Sequence, residues 1–149
     1  MPQSLVKVLV HIVFSTKDRV KLITPDVELR LYGYISAIIA NNGARMILAG
    51  GTWDHIHILI SLGRNDVVEL IGDIKRSSSS WIKKQDKKSA KFFWQRGYGA
   101  FSIGQSQVPA VSRYIANQKQ HHGQQTFQDE FRELCQKYEV EIDEKYCWD

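Results

Sequence analysis

Cysteine is scarce in this chain of 149 residues: only Cys135 and Cys147 occur, without metal-type spacing. That pair argues against a disulfide scaffold and suits a reducing cytoplasm. Long hydrophobic runs are also missing, since no apolar stretch approaches the roughly 20 residues a membrane helix needs. The opening "MPQSLVKVLVHIVFSTKDR" is apolar only briefly and has neither a basic start nor a small-residue cleavage site. It is therefore read as a first strand rather than a leader. No internal repeat and no clear boundary divides the sequence, so one domain over 1–149 is expected. Charge of one sign is nearly balanced, with a net +4, which permits a polyanion partner without demanding one. Its distribution is uneven. The segment from Lys75 to Lys91 carries a single acid, Asp86, among its basic residues, whereas the chain from Asp129 onward is acid-rich. A basic flank of that kind fits either a nucleic-acid contact or a solvated helix face.

What is present is a regular succession of patterns. Leu5 to Phe14 alternates, with Val6, Val8, Val10, Ile12 and Phe14 on one face and Lys7, Leu9, His11 and Val13 on the other. "TPDVELRLYGYISAIIANNG" carries Thr24 as N-cap, Pro25 in the first turn and Asn42-Gly43 as a stop. Two strands, "ARMILAGGTW" and "DHIHILISL", are expected to form an antiparallel hairpin through the Gly50-Gly51 region. A second helix starts near Asp66 and buries Val67, Leu70, Ile71, Ile74 and Trp81. A fourth strand lies in the second half of "KFFWQRGYGAFSI". A third helix, "VPAVSRYIANQKQHH", runs from Pro109 until Gly123 stops it, and a shorter helix, "TFQDEFRELCQKY", follows. The order predicts an α+β fold: a ferredoxin-like β-α-β-β-α-β antiparallel sheet with additional C-terminal helices. One sheet face is expected to remain free for a partner or an active site.

The strand "WDHIHILI" gives two alternate positions to histidine. Side chains at i and i+2 share a face, so His55 and His57 project together while Ile56, Ile58 and Ile60 anchor the other side. Two neutral imidazoles so placed make a pair of metal ligands, or else two half-exposed groups bonded to neighbours. His11 borders the same patch if the first and third strands are neighbours. On the third helix Tyr114 and Gln118 lie one turn apart, and His121 two turns from Tyr114, on nearly one face.

"HIHILI" resembles the HUH motif (U hydrophobic) of single-strand DNA nucleases. "YIANQKQHH" resembles the nucleophile helix of single-tyrosine HUH transposases of the insertion sequence 200/605 type. "HIVFSTKDR", "FFWQRGYGAFSI" and the ending "FQDEFRELCQKYEVEIDEKYCWD" are similar to the same family, so the resemblance spans nearly the whole chain. It implies an HUH endonuclease type of fold and a DNA transposase acting on single-stranded DNA. Strand cleavage and rejoining would pass through a covalent 5′-phosphotyrosine, with hairpins recognised at element ends. It implies Tyr114 as nucleophile and His55, His57 and Gln118 as ligands of Mg²⁺ or Mn²⁺; the ligand types alone would also tolerate zinc. His11, His121 and His122 are auxiliary candidates. A homodimer with composite sites, no membrane partner, and work in the cytoplasm at the nucleoid are further implications.

For the DNA backbone the candidates are Lys75, Arg76, Lys83, Lys84, Lys87 and Lys88. Trp94, Tyr98 and Phe101 could stack on bases or pack in the core. Two rivals stand beside this reading. One is a metal-dependent phosphodiesterase or hydrolase using water with His55, His57 and His121 or His122. The other is a non-catalytic nucleic-acid-binding module, whose K/R-G-F/Y-G/A-F-V-x-F/Y strand is absent where "DHIHILISL" stands.

Overall fold

The computed structural model describes residues 2–149. The elements are β1 (Leu9–Ser15), α1 (Pro25–Asn41), β2 (Arg45–Gly51), β3 (His55–Ser61), α2 (Val67–Lys83), β4 (Gly99–Ile103), α3 (Val108–Ala116), α4 (Gln118–His121) and α5 (Phe127–Lys137). The strands form one sheet in the order β2-β3-β1-β4 with every neighbouring pair antiparallel. This is the expected ferredoxin-like arrangement, extended by three C-terminal helices.

β1 begins at Leu9 and not at Leu5. Leu9 pairs with Ser61 and with Ile103, the last residues of β3 and β4; before it the Val8 carbonyl still accepts the Leu62 N–H at 2.8 Å, but no paired strand residues remain for Leu5 to Lys7. Leu5 and Val6 are accordingly exposed. Helix punctuation follows the sequence closely. Asp66 caps α2 by accepting from the Val68 and Glu69 N–H groups, and Thr126 caps α5 by accepting from Asp129 N–H.

The main core lies on one sheet face, where Val10, Ile12, Phe14, Ile56, Ile58 and Ile60 meet Leu31, Ile35 and Ile39 of α1 and Leu70, Ile71 and Ile74 of α2. Each fully buried aliphatic side chain contributes roughly 1.5–3 kcal/mol. Trp94 belongs to this core, and its indole N–H donates to Ser78 Oγ. The opposite face, expected to be free, is covered. Leu9, Leu59 and Ile103 pack with Val111 and Ile115 of α3, and Val13 and Phe101 pack with Phe127, Phe131 and Leu134 of α5. The cause is amphipathicity: α3 and α5 each carry an apolar stripe that must be buried against something.

α3 comes very close to β2. A Cβ built on Gly50 would stand 2.5 Å from the Ile115 carbonyl oxygen, so the packing requires glycine there. The single third helix expected over 108–122 is interrupted at Asn117, whose ψ of 19° ends α3 before the one turn of α4. Gln118, first residue of that turn, is buried.

Candidate active site

Between the two small cores of the covered face, the sheet presents imidazoles instead of hydrocarbon. His11, His55 and His57 are all buried, because α3, α4 and α5 close over them. Alternation in β3 sends His55 and His57 to this face while the intervening isoleucines enter the main core. The half-exposed alternative for the two histidines is thereby removed.

One carboxylate organises the cluster. Glu130 of α5 is buried, and its Oε1 lies 2.9 Å from His57 Nε2, 3.0 Å from His122 Nε2 and 3.5 Å from His55 Nε2. Its Oε2 accepts from the Tyr114 hydroxyl and, at 3.0 Å, from the Gln118 amide N–H. His121 is more peripheral, half exposed and 3.9 Å from Oε2. The Tyr114 ring stands 5.6 Å from His57 and 5.1 Å from His121, centroid to centroid.

Neighbours fix the orientation of each ring. Asp54 Oδ1 lies 2.7 Å from His55 Nδ1, and a carboxylate only accepts, so the proton sits on Nδ1. The Thr52 hydroxyl lies 3.0 Å from both Asp54 Oδ1 and His55 Nδ1 and ties the pair. His11 Nε2 stands 2.8 Å from His57 Nδ1 and steadies that ring from β1.

These contacts test whether the site suits a cation. His55 Nε2 points toward Gln118 Oε1, 2.9 Å away, and toward Glu130 Oε1 at 3.5 Å, so a ring nitrogen and two side-chain oxygens converge on one point. His122 Nε2 lies 3.0 Å from Glu130 Oε1, an ion-pair distance, but meets no hydrogen-bond geometry there. The ligand atoms of His55, His57, His122 and Glu130 all lie within 4.8 Å of one another. Three imidazoles and a carboxylate, with an amide oxygen beside them, form a donor set that could hold a divalent metal.

The electrostatics agree. Burial pulls His57 down to about 4, against the pull of Glu130, and burial followed by the His57 charge takes His11 to about 3. Both are therefore neutral at pH 7, as metal ligands and their supports must be. Burial pushes the Glu130 carboxyl upward, but the imidazoles of His122 and His57 outweigh it and hold it well below the usual carboxylate range. Burial lowers His122, yet Glu130 outweighs that and lifts it. Burial, then the Glu130 charge and hydrogen bond, raises the Tyr114 phenol far above its ordinary value.

His55, His57, Gln118, Tyr114, His11, His121 and His122, all singled out in the sequence, converge here. Glu130 was not foreseen. Its signal is an acid on the apolar stripe of α5, three residues after Phe127 and four before Leu134. Asp54 and Thr52, beside the histidines in sequence, were likewise given no role.

The basic candidates are distributed differently. The Lys75 ammonium donates to the carbonyls of Gln95, Arg96 and Gly97, which ties α2 to the segment before β4. Arg76 pairs with Asp73, and Lys83 lies 4.0 Å over the Phe93 ring. Lys84, Lys87 and Lys88 are exposed. Of the aromatic candidates, Trp94 and Phe101 are buried, while Tyr98 lies partly buried under the Lys75 ammonium.

A four-stranded antiparallel sheet whose third strand presents two histidines toward a tyrosine-bearing helix defines the HUH class of α+β fold. Within that class the chain belongs to the IS200-like transposases: the family model described as "Transposase IS200 like" matches residues 4–118. Membership makes it a transposase, an enzyme of DNA cleavage and recombination. Glu130 and α5 lie beyond the matched residues. Two solved structures share the fold. A chain from Deinococcus radiodurans R1 described as a candidate transposase is 17% identical with a TM-score of 0.61, over 79% of this chain and 98% of that one. A REP-associated tyrosine transposase bound to a REP hairpin is 16% identical with a TM-score of 0.61, over 83% of this chain and 73% of that one. No curated protein matches the sequence. Among the described residues no helix is long and apolar enough to cross a membrane.

Proposed function

We propose that this transposase cleaves and rejoins single-stranded DNA by forming a 5′-phosphotyrosine at Tyr114. One observation carries the reading: within a single chain, Glu130 joins the Tyr114 hydroxyl to the same group of donors that contains His55, His57 and Gln118. In the step, a bond forms between Tyr114 Oη and phosphorus and the bond from phosphorus to the 3′-oxygen breaks. The phenol proton passes to Glu130 Oε2, which already accepts its hydrogen bond, and the departing oxygen takes a proton from solvent to become a 3′-hydroxyl. The phosphotyrosine keeps the phosphodiester's free energy, so a second 3′-hydroxyl can reverse the step and join strands.

His55, His57 and Gln118, with Glu130 and His122 beside them, would hold the divalent ion. Family membership favours Mg²⁺ or Mn²⁺, and the imidazoles would accept zinc too. When bound, the ion supplies charge neutralisation and orientation at the scissile phosphate. Asp54, Thr52 and His11 hold the imidazole rings in their orientations. Lys83, Lys84, Lys87, Lys88 and Arg76 offer backbone contacts along α2 and the turn after it, whereas Lys75 is engaged internally. Recognition of DNA hairpins is supported by the relative bound to a REP hairpin. The protein would work in the cytoplasm, on DNA at the nucleoid. Within this chain the tyrosine helix meets the chain's own histidines, which supports cleavage in cis; in a homodimer with composite sites the same helix would serve the partner's histidines instead.

The test is incubation with Mn²⁺ or Mg²⁺ and single-stranded DNA carrying hairpins from the gene's flanks. We expect a protein–DNA adduct that survives denaturation. Tyr114→Phe abolishes it, and His55→Ala or Gln118→Ala reduces it by roughly 100-fold or more, the scale of a lost group that stabilises transition-state charge. Cleaved product without an adduct, insensitive to Tyr114→Phe, would instead establish the water-using hydrolase, for which His122 is the additional ligand.

A further inference from the structure

The buried donors are approached by a cavity of about 760 Å³ that the mechanism above does not use. Asp54 and His122 form its inner wall, so it opens on the His55 and His122 flank of the cluster. Tyr114 lies on the other flank, beside His57 and His11, in a separate smaller cavity with Glu130. The volume suits a nucleotide-sized ligand.

Its rim has the chemistry of a single-strand site. Trp53, in the β2–β3 loop, is 45% exposed, an unusual state for so large an apolar ring. Its backbone is pinned, because its carbonyl accepts the Ile23 N–H at 2.9 Å, so the indole sits on a fixed support. Arg19 and Lys21 line the same cavity, and Gln124 and Gln125 face it with side chains able to hydrogen-bond a base edge. The turn that carries Arg19 is strained. Asp18 and Arg19 have φ of 57° and 56°, a left-handed conformation uncommon for residues other than glycine. Of the other charges lining the cavity, Asp54 is occupied by His55 and Thr52, Lys119 pairs with Glu28 and Asp129 pairs with Arg132, which leaves Arg19 and Lys21 to set the sign of the field at the rim.

We infer that this cavity binds the nucleotide on the 5′ side of the scissile phosphate, its base stacked on Trp53 and its backbone held by Arg19 and Lys21. The inference rests on the tyrosine mechanism for its polarity. In-line displacement places the attacking Tyr114 oxygen and the departing 3′-oxygen on opposite sides of phosphorus. The nucleotide that owns the 3′-oxygen therefore falls on the flank away from Tyr114, where the cavity is. Stacking on an indole tolerates any base, so Trp53 supplies affinity and the two glutamines supply preference.

The test reads binding in EDTA, apart from cleavage. The full chain is titrated by fluorescence anisotropy with labelled dA, dC and dT strands of about eight nucleotides, a length typical of one single-strand site. Trp53→Ala is expected to weaken binding about 10-fold or more, and Trp53→Phe to retain most of it. Arg19→Ala with Lys21→Ala should lower the slope of log K against log salt by about 1.4, near 0.7 for each lost contact to a single strand. Wild-type chain that binds none of the strands, or Trp53→Ala that binds as wild type does, overturns the inference. A second arm fixes polarity: 5-iodo-deoxyuridine on the 5′ side of the mapped cleavage position should photocrosslink to the Trp53 peptide. A crosslink to that peptide only from the 3′ side contradicts the assignment. A Tyr114-dependent adduct with no Trp53 effect removes this inference and leaves the proposed function standing. Trp53-dependent binding with no adduct removes the tyrosine mechanism and with it the 5′ assignment, leaving Trp53 as a single-strand contact alone.

Discussion

Glu130 is the residue on which the site turns, and its position shows why the sequence did not disclose it. An acid on an amphipathic helix is ordinarily solvated, and only the packing of α5 against Val13 and Phe101 reveals that position 130 points inward. A buried carboxylate must be compensated, and here imidazoles, a phenol and an amide surround it. If Glu130 is a ligand, Glu130→Gln keeps its shape and removes its charge, so Mn²⁺ affinity by titration calorimetry should fall about 10-fold or more. Unchanged affinity would confine Glu130 to positioning Tyr114. The two strand histidines were legible because a period of two leaves no doubt about which residues share a face. Whether they were buried was not, since that depends on helices more than fifty residues away.

At the level of elements, alternation, caps and stops located the four strands and the longer helices. The break at Asn117 and the cover over the second sheet face were not legible. A helix pattern continues across one non-helical ψ without any change in sequence period, and an apolar stripe does not name the surface it will meet. The approach of α3 to β2 carries its own test. Gly50→Ala introduces a methyl group within 2.5 Å of the Ile115 carbonyl, which backbone movement must relieve. Overpacking of that kind costs about 1–3 kcal/mol, or roughly 2–12 °C in Tm for a chain of this size. Because α3 carries Tyr114, the adduct yield should fall with it. A variant as stable and as active as the parent would show that α3 is not held at this distance.

For the whole molecule, the buried imidazoles predict acid sensitivity. His57 and His11 are depressed to about 4 and about 3 in the folded chain, against an ordinary value near 6.5. As pH falls below 6.5 the unfolded state binds protons that the folded state refuses, so stability present above that pH is progressively lost. Glu130, held low, adds to the loss below its own ordinary range, while His122, held high, works the other way as pH rises. Denaturant unfolding in EDTA should therefore show a loss on the order of 3 kcal/mol between pH 7 and pH 4.5. A flat profile over that interval would mean the two imidazoles are not sealed from water.

In the proposed reaction Tyr114 itself receives the DNA. Mass spectrometry of the protease-digested adduct tests it most directly. A peptide containing Tyr114 should carry the 5′-phosphoryl end of the cleaved strand, alongside an oligonucleotide ending in a free 3′-hydroxyl. An unmodified Tyr114 peptide together with a free 5′-phosphate on the cleaved DNA would contradict it.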